Sequence, residues 1–109
     1  MKLAIKNNAL YVENLFFCYV EIINGKPLQP GHYAAETRYS HHHGEDLPHV
    51  ESVGWIGPAT HRNDTPCALI LGRIRGRSNV LPCPSFVIRL LAMLNEAEDR
   101  GEPTTLVVE

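Results

Sequence analysis

An aliphatic run, 68–74, does most to limit how this chain can fold. Gly72 and Arg73 alone interrupt it, and a short apolar run bounded by turn residues is typical of a buried strand. Other short apolar segments, separated by Asn, Gly and Pro, predict further strands. A loop is expected over 40–48, which is rich in His, Gly, acidic residues and Pro. The predicted strands beside the aliphatic run are 3–5, 9–11, 15–20, 32–39, 50–56 and 104–108.

One segment departs from the strand pattern. Residues 84–99 place apolar side chains on one broad face, which predicts a helix. Pro84 suits its first turn and Gly101 suits its C-terminal cap. One helix late in a strand-rich chain favours an α+β fold, with a small, β-dominated mixed sheet, a barrel-like core and a single main helix. We expect one domain, spanning 1–109.

The composition limits the classes of partner. Of the 109 residues, 44% are hydrophobic and 20% charged, with a formal net charge of -2, which is ordinary for a soluble globular protein. Because the basic residues are not clustered into an extended positive surface, nucleic acid is not an expected partner. No apolar window approaches the length of a membrane span, and the first residues do not resemble a signal peptide. We therefore expect a cytoplasmic protein without membrane contacts.

The three cysteines, Cys18, Cys67 and Cys83, have no C-x-x-C spacing. An odd number without that spacing indicates neither a disulfide framework nor a four-thiolate zinc site. Cys18 lies among aromatic residues and Cys83 between prolines, so both are expected to be packing or surface residues. Cys67 differs because it follows a polar loop that carries a histidine and because it opens the aliphatic run. That setting favours Cys67 as a nucleophile.

The predicted catalytic pair is Cys67 as nucleophile and His61 as general base. Arg73 or Arg75 would hold a substrate carboxylate through a bidentate contact. The alternative for Cys67 is a small apolar side chain packed at the start of the core strand.

Two further residues, Trp55 and Thr65, complete the predicted substrate-binding set. Trp55 could equally be a core anchor. The alternating arginines Arg73, Arg75 and Arg77 could instead form an exposed edge whose charges prevent aggregation.

A histidine run, His41–His43, lies close in sequence to His32, His49, Glu45 and Asp46. Imidazole and carboxylate groups suit zinc or nickel. Consecutive residues of an extended chain point in opposite directions, however, so three adjacent histidines rarely bind one ion. A solvated loop at the rim of the substrate site is the favoured interpretation, and no metal or cofactor is expected.

Several motifs occur in the same order as in a small phage and bacterial family of unknown function. That family carries F-x-C-Y-T-L-E, then P-x-G-x-Y, I-H-x-G-N and D-T-x-G-C-I-L-x-G, then a helix that begins at serine. The corresponding segments here are 16–21, 30–33, 56–60, 64–72 and the helix from Ser85 onward. The resemblance extends over nearly the whole chain.

The histidine and the glycine-cysteine pair of that family in turn resemble the signature of L,D-transpeptidases. The resemblance implies an L,D-transpeptidase-like fold and a phage or prophage-type protein that cleaves or transfers peptidoglycan amides through a thioester. Such an enzyme, lacking a signal peptide, would reach the wall after lysis or by virion delivery.

Two positions depart from the family pattern. Gly57 stands where the family has histidine, and Pro66 replaces the glycine before the cysteine. Proline has no N–H to offer an oxyanion. These departures favour the alternative, a catalytically inactive binding module of the same fold that holds a host or virion protein.

Overall fold

Nine strands and one helix form the part of the chain that the structure describes. This computed structural model covers residues 1–23, 27–57, 67–75 and 80–109, with the backbone alone at 74 and 75. The elements in chain order are β1 (Lys2–Lys6), β2 (Ala9–Val12), β3 (Leu15–Ile22), β4 (Gly31–Ser40), β5 (Glu45–Val50), β6 (Gly54–Ile56), β7 (Cys67–Arg75), β8 (Val80–Pro82), α1 (Pro84–Asp99) and β9 (Thr104–Val108).

Eight of the strands close into a barrel. Their order is β3-β2-β1-β9-β4-β5-β6-β7, and β7 pairs with β3 to complete the ring. The carbonyls of Leu69 and Leu71, which face the same edge of β7, accept hydrogen bonds from the backbone N–H groups of Gly57 and Cys83. β6 and β8 therefore pair with that edge in succession, while β3 takes the opposite edge.

The core lies between the barrel and α1. The helix contacts β4, β5 and β7, and its buried side chains are Phe86, Val87, Leu90, Leu94 and Ala97. From the strands, residues that face the same interior include Leu3, Leu10, Leu47, Leu69, Leu71 and Leu106. A β-dominated barrel with one helix agrees with the α+β prediction, and the aliphatic run of β7 is buried as expected.

The ends of α1 follow the sequence signals. Pro84 occupies the first turn, where its missing N–H costs nothing. At the other end Gly101 has a φ of 72°, and the N–H of Glu102 donates to the carbonyl of Ala97 at 2.8 Å. This is a left-handed glycine cap, as predicted. Among the described residues, no helix has the length and apolar character that crossing a membrane requires.

The loop predicted over 40–48 and the strand predicted over 50–56 were both wrong. Most of β5 lies within the first segment, and Thr37 of β4 pairs with Pro48. β5 accommodates this proline because β6 pairs only with His49 and Val50, so the edge beside Pro48 needs no ladder N–H. The predicted strand 50–56 is interrupted by a turn that contains Ser52 at a φ of 66°. β8 was not predicted.

Candidate functional site

The tip of the β4–β5 hairpin brings a histidine to Cys67. Residues 41–44 form its turn, closed by a 2.7 Å hydrogen bond from the Gly44 N–H to the Ser40 carbonyl. Gly44 has a φ of 69°, a left-handed conformation that glycine adopts without strain. From this turn, Nε2 of His43 lies 3.7 Å from Sγ of Cys67. The structure thus places an imidazole against the thiol.

Ser40 fixes the orientation of that imidazole. Its hydroxyl oxygen lies 2.9 Å from Nδ1 of His43 and also accepts the backbone N–H of His43 at 3.3 Å. Ser40 is 1% exposed, so its hydroxyl is shielded from solvent. In the tautomer with hydrogen on Nδ1, that N–H donates to Ser40, and the lone pair of Nε2 points to the thiol.

Cys67 is the first residue of β7. It packs with Ile70 and the half-buried Ile23, and its exposed fraction is 1%. On the neighbouring strand its backbone partner is Trp55. The sulfur is therefore enclosed between an aliphatic cluster and the hairpin turn.

Several predicted site residues lie outside the described residues. These are His61, Thr65 and the flanking Pro66, together with Arg77 of the arginine stripe. The backbone of Arg75 belongs to β7, but its side chain is likewise outside the description. The role of His61 as a base therefore stays a prediction.

Arg73 is described, and the structure does not bring it to Cys67. Six positions of an extended strand separate the two residues, which corresponds to roughly 20 Å. The exposed Arg73 guanidinium instead lies close enough to Cys83 to help lower the pKa of that thiol. Arg73 is thus placed beside the N-terminus of α1.

Trp55, in contrast, lies next to Cys67. Its side chain is half-buried and packs against the main core cluster. The ring also contacts the His49 ring edge-on, at a centroid distance of 4.7 Å. Trp55 therefore connects the core with the sheet surface beside the thiol.

The other two cysteines differ from each other. Cys18 is fully buried, and burial raises its pKa to about 12, so the prediction of a packing residue is confirmed. Cys83 precedes α1 and is half-buried. A hydrogen bond from Ser85, whose Oγ lies 3.1 Å from Sγ, is the main cause that lowers the pKa of Cys83.

Sequence reasoning treated the histidine run as a rim and missed its third member as the partner of the thiol. His43 and Cys67 are 24 positions apart, and the hairpin that joins them was assigned to a loop. The three-residue spacing of Ser40 and His43 within a tight turn was the available signal. The described residues contain no group of three or more His, Cys, Asp or Glu side chains that could hold a metal ion.

No protein-family model matches the sequence, and no curated protein or solved structure shows a significant similarity to it. The candidate site is therefore described from its side chains alone. The hydroxyl of Ser40 contacts the imidazole of His43, and that imidazole contacts the thiol of Cys67. Nucleophilic catalysis by cysteine uses a thiol beside an imidazole whose ring is oriented by a third group.

Proposed function

We propose that the protein is a cysteine-dependent acyl-transfer enzyme. Cys67 is the nucleophile, His43 the general base and Ser40 a positioning residue. The observation that carries the proposal is the contact between Nε2 of His43 and Sγ of Cys67 at 3.7 Å, with the opposite ring nitrogen anchored to Ser40. A thiolate is the reactive form of cysteine, and an adjacent imidazole is the usual group that produces it.

The chemistry proceeds in two steps. Nε2 of His43 takes the thiol proton, and the thiolate attacks the carbonyl carbon of an amide. The carbon–nitrogen bond then breaks, the imidazolium returns the proton to the departing amine, and the acyl group stays on Cys67 as a thioester. Attack by water cleaves the substrate, whereas attack by a second amine transfers the acyl group; either attack regenerates the thiol.

The proposed substrate is a peptidoglycan stem peptide. This assignment is supported by the order of motifs along the chain, in which Asp64 and Thr65 precede Cys67 as in the phage and bacterial family. The geometry at Cys67 supports the reaction class, and the motif order supports the substrate class.

The burial of Cys67 favours a second candidate, a binding module without catalysis. With 1% of Cys67 exposed, its side chain has the burial of a packing residue. Gly57, which stands where the family has histidine, is also buried. In this second candidate, His43 and Cys67 pack together, and the surface serves a host or virion protein.

Intact-mass spectrometry after incubation with disaccharide-tetrapeptide fragments tests the proposal. The variant Cys83→Ser is the background, because Cys83 is a half-buried thiol with a lowered pKa and would react in parallel. We expect a covalent adduct on Cys67 whose mass is that of the acyl fragment. The double variant that carries both Cys83→Ser and Cys67→Ala should form no such adduct.

Iodoacetamide labelling separates the two candidates. For the enzyme, Cys67 is alkylated in the folded protein, with a rate midpoint below the value of about 8.5 of an ordinary thiol. For the binding module, Cys67 is labelled only after unfolding and forms no acyl adduct. That second pattern would rule out catalysis at Cys67.

A further inference from the structure

A cavity of about 310 Å³ opens on the outer face of β4 and β5. Four of its five lining residues have ionisable side chains, although both strands turn apolar side chains such as Ala35 and Val50 towards the core. The residues that line it are Ala34, Glu36, Arg38, His49 and Glu51. Neither the predicted site nor the proposed reaction uses this cavity.

The sheet register links the cavity to the thiol. Glu36 pairs with His49, His49 with Trp55 and Trp55 with Cys67, in one row across four strands. Directly paired residues project from the same face of a sheet. Because neighbouring strands lie about 4.8 Å apart, His49 is roughly 10 Å from Cys67 and Glu36 roughly 14 Å. The cavity and Cys67 therefore share one face of the barrel wall.

The charges in the cavity are of both signs. Nε of Arg38 lies 3.3 Å from a carboxylate oxygen of Glu36, and among the described contacts neither terminal amino group of Arg38 has a partner. Those two groups form the edge that binds a carboxylate in a bidentate manner. Burial, and then the charge of Arg38, lower the pKa of His49, so the ring is neutral at pH 7. Glu51 adds a second carboxylate.

We propose that this cavity is a binding subsite for a paired ammonium and carboxylate at one end of the substrate. Arg38 takes the carboxylate, and Glu36 with Glu51 takes the ammonium group. This inference rests on the proposed function of Cys67 and specifies its substrate as a peptide, or peptide branch, with a free amine and carboxylate. The end so bound lies roughly 14 Å from the reacting carbonyl, or about four residues of extended chain.

Other ligand chemistries fit these charges less well. A phosphate or sulfate would meet two carboxylates for one guanidinium, which disfavours an anion. A ligand with an amine but no carboxylate would leave the two terminal amino groups of Arg38 without a hydrogen-bond acceptor. An apolar group would bury charged side chains without partners, which is costly.

Binding of three small probes, monitored by ¹H–¹⁵N NMR of the full chain, tests the subsite without any reaction. The probes are alanine, N-acetylalanine, which lacks the ammonium charge, and alanine amide, which lacks the carboxylate. We expect alanine to shift the amide signals of Glu36, Arg38, His49 and Glu51 and to bind at least about tenfold more tightly than either analogue, since each lost charged hydrogen bond is worth about 1.4 kcal/mol or more.

The chain provides a matched control for Arg38. Arg100 is paired with Glu102, also two positions away, and both pairs are about half exposed. We expect Arg38→Gln to weaken alanine binding about tenfold, to the affinity of alanine amide, and Arg100→Gln to leave it unchanged.

Equal affinity for all three probes, shifts confined to other surfaces, or equal effects of the two arginine variants would overturn the subsite. Because alanine contains no amide to cleave, these outcomes do not depend on Cys67. Failure of acyl-adduct formation with intact alanine binding would instead reject only the proposed reaction.

Discussion

Nε2 of His43 lies 3.7 Å from Sγ of Cys67, although 24 positions separate the two residues in the chain. The hairpin of β4 and β5 spans that separation and presents His43 from its turn. His43 therefore offers Cys67 an imidazole partner that depends neither on His61 nor on a histidine at position 57. The hairpin thus gives the thiol an imidazole neighbour.

Replacement of His43 is expected to slow alkylation of Cys67. In His43→Asn, with Cys83→Ser as background, the imidazole that takes the thiol proton is lost, and we expect the rate at pH 7 to fall by about tenfold or more. His41→Asn is the matched control, because His41 occupies the same turn but packs on Tyr39. Iodoacetamide rates from pH 5 to 10 provide the measurement. Equal rates in the two variants would show that His43 does not activate the thiol.

Removal of the Ser40 hydroxyl is expected to weaken the base without removing it. Ser40→Ala deprives Nδ1 of His43 of its partner at 2.9 Å, and the hydrogen bond at one ring nitrogen sets which tautomer the imidazole adopts. We expect a lower alkylation rate and a midpoint shifted towards higher pH, which a merely structural role would not produce. An unchanged midpoint, with the thermal transition also unchanged, would contradict the assignment. Ser40→Thr, which retains the hydroxyl, should preserve the wild-type profile.

The buried thiol of Cys18 predicts a loss of stability at alkaline pH. Burial raises its pKa from 9.0 to about 12, so above pH 9 the unfolded chain releases this proton while the folded protein retains it. The stability that this group contributes is complete below pH 9 and is lost as the pH rises towards 12, at up to about 1.4 kcal/mol per pH unit.

Urea denaturation between pH 8 and 11, with Cys18→Ala for comparison, measures this effect. The free energy of unfolding should fall more steeply with pH in the wild type than in the variant, because the other titrating groups are common to both. Parallel curves would show that Cys18 ionises alike in both states.

Much of the fold could be predicted from local patterns, because hydrophobic periodicity and caps act within a few residues. The aliphatic run of β7 and the helix with Pro84 and Gly101 at its ends are of this kind. The strand β5 was missed because Pro48 and the charged Glu45 are unfavourable strand residues, and only pairing with β4 makes them part of the sheet.

The site was harder to predict because it depends on tertiary placement. Cys67 was identified from its position at the start of an apolar run, which is a local feature. His43 could not be distinguished from its two neighbours, since only the direction of the hairpin decides which ring meets the thiol. The roughly 20 Å between Arg73 and Cys67 likewise follows from strand geometry and not from proximity in sequence.

The substitution Thr104→Val is expected to stabilise the protein. Its hydroxyl oxygen is buried and has no hydrogen-bond partner among the described residues, and an unsatisfied buried polar group costs about 1–3 kcal/mol. Thr104→Val keeps the shape and the β-branch, so we expect the free energy of unfolding to rise by about 1 kcal/mol. Thr105→Val, on the neighbouring half-buried position, should change it little. A destabilised Thr104→Val would indicate that the hydroxyl is satisfied.

Gly72 is the position where β7 tolerates no side chain. A Cβ built there would overlap the carbonyl oxygen of Leu81 and Cγ1 of Val80, both in β8. Because the first of these atoms belongs to the backbone, β8 would have to move away from β7. We expect Gly72→Ala to lower the free energy of unfolding by about 3 kcal/mol in urea denaturation.

The matched control is Gly101→Ala, where the added Cβ meets nothing within 4 Å and the only cost is the positive φ of 72°. That strain is worth about 1 kcal/mol. If the two variants are equally destabilised, the approach of β8 to Gly72 is not close enough to exclude a methyl group. If Gly72→Ala alone is strongly destabilised, the pairing of β8 with β7 is fixed by this glycine, and α1, which follows β8 directly, depends on it for its position against the barrel.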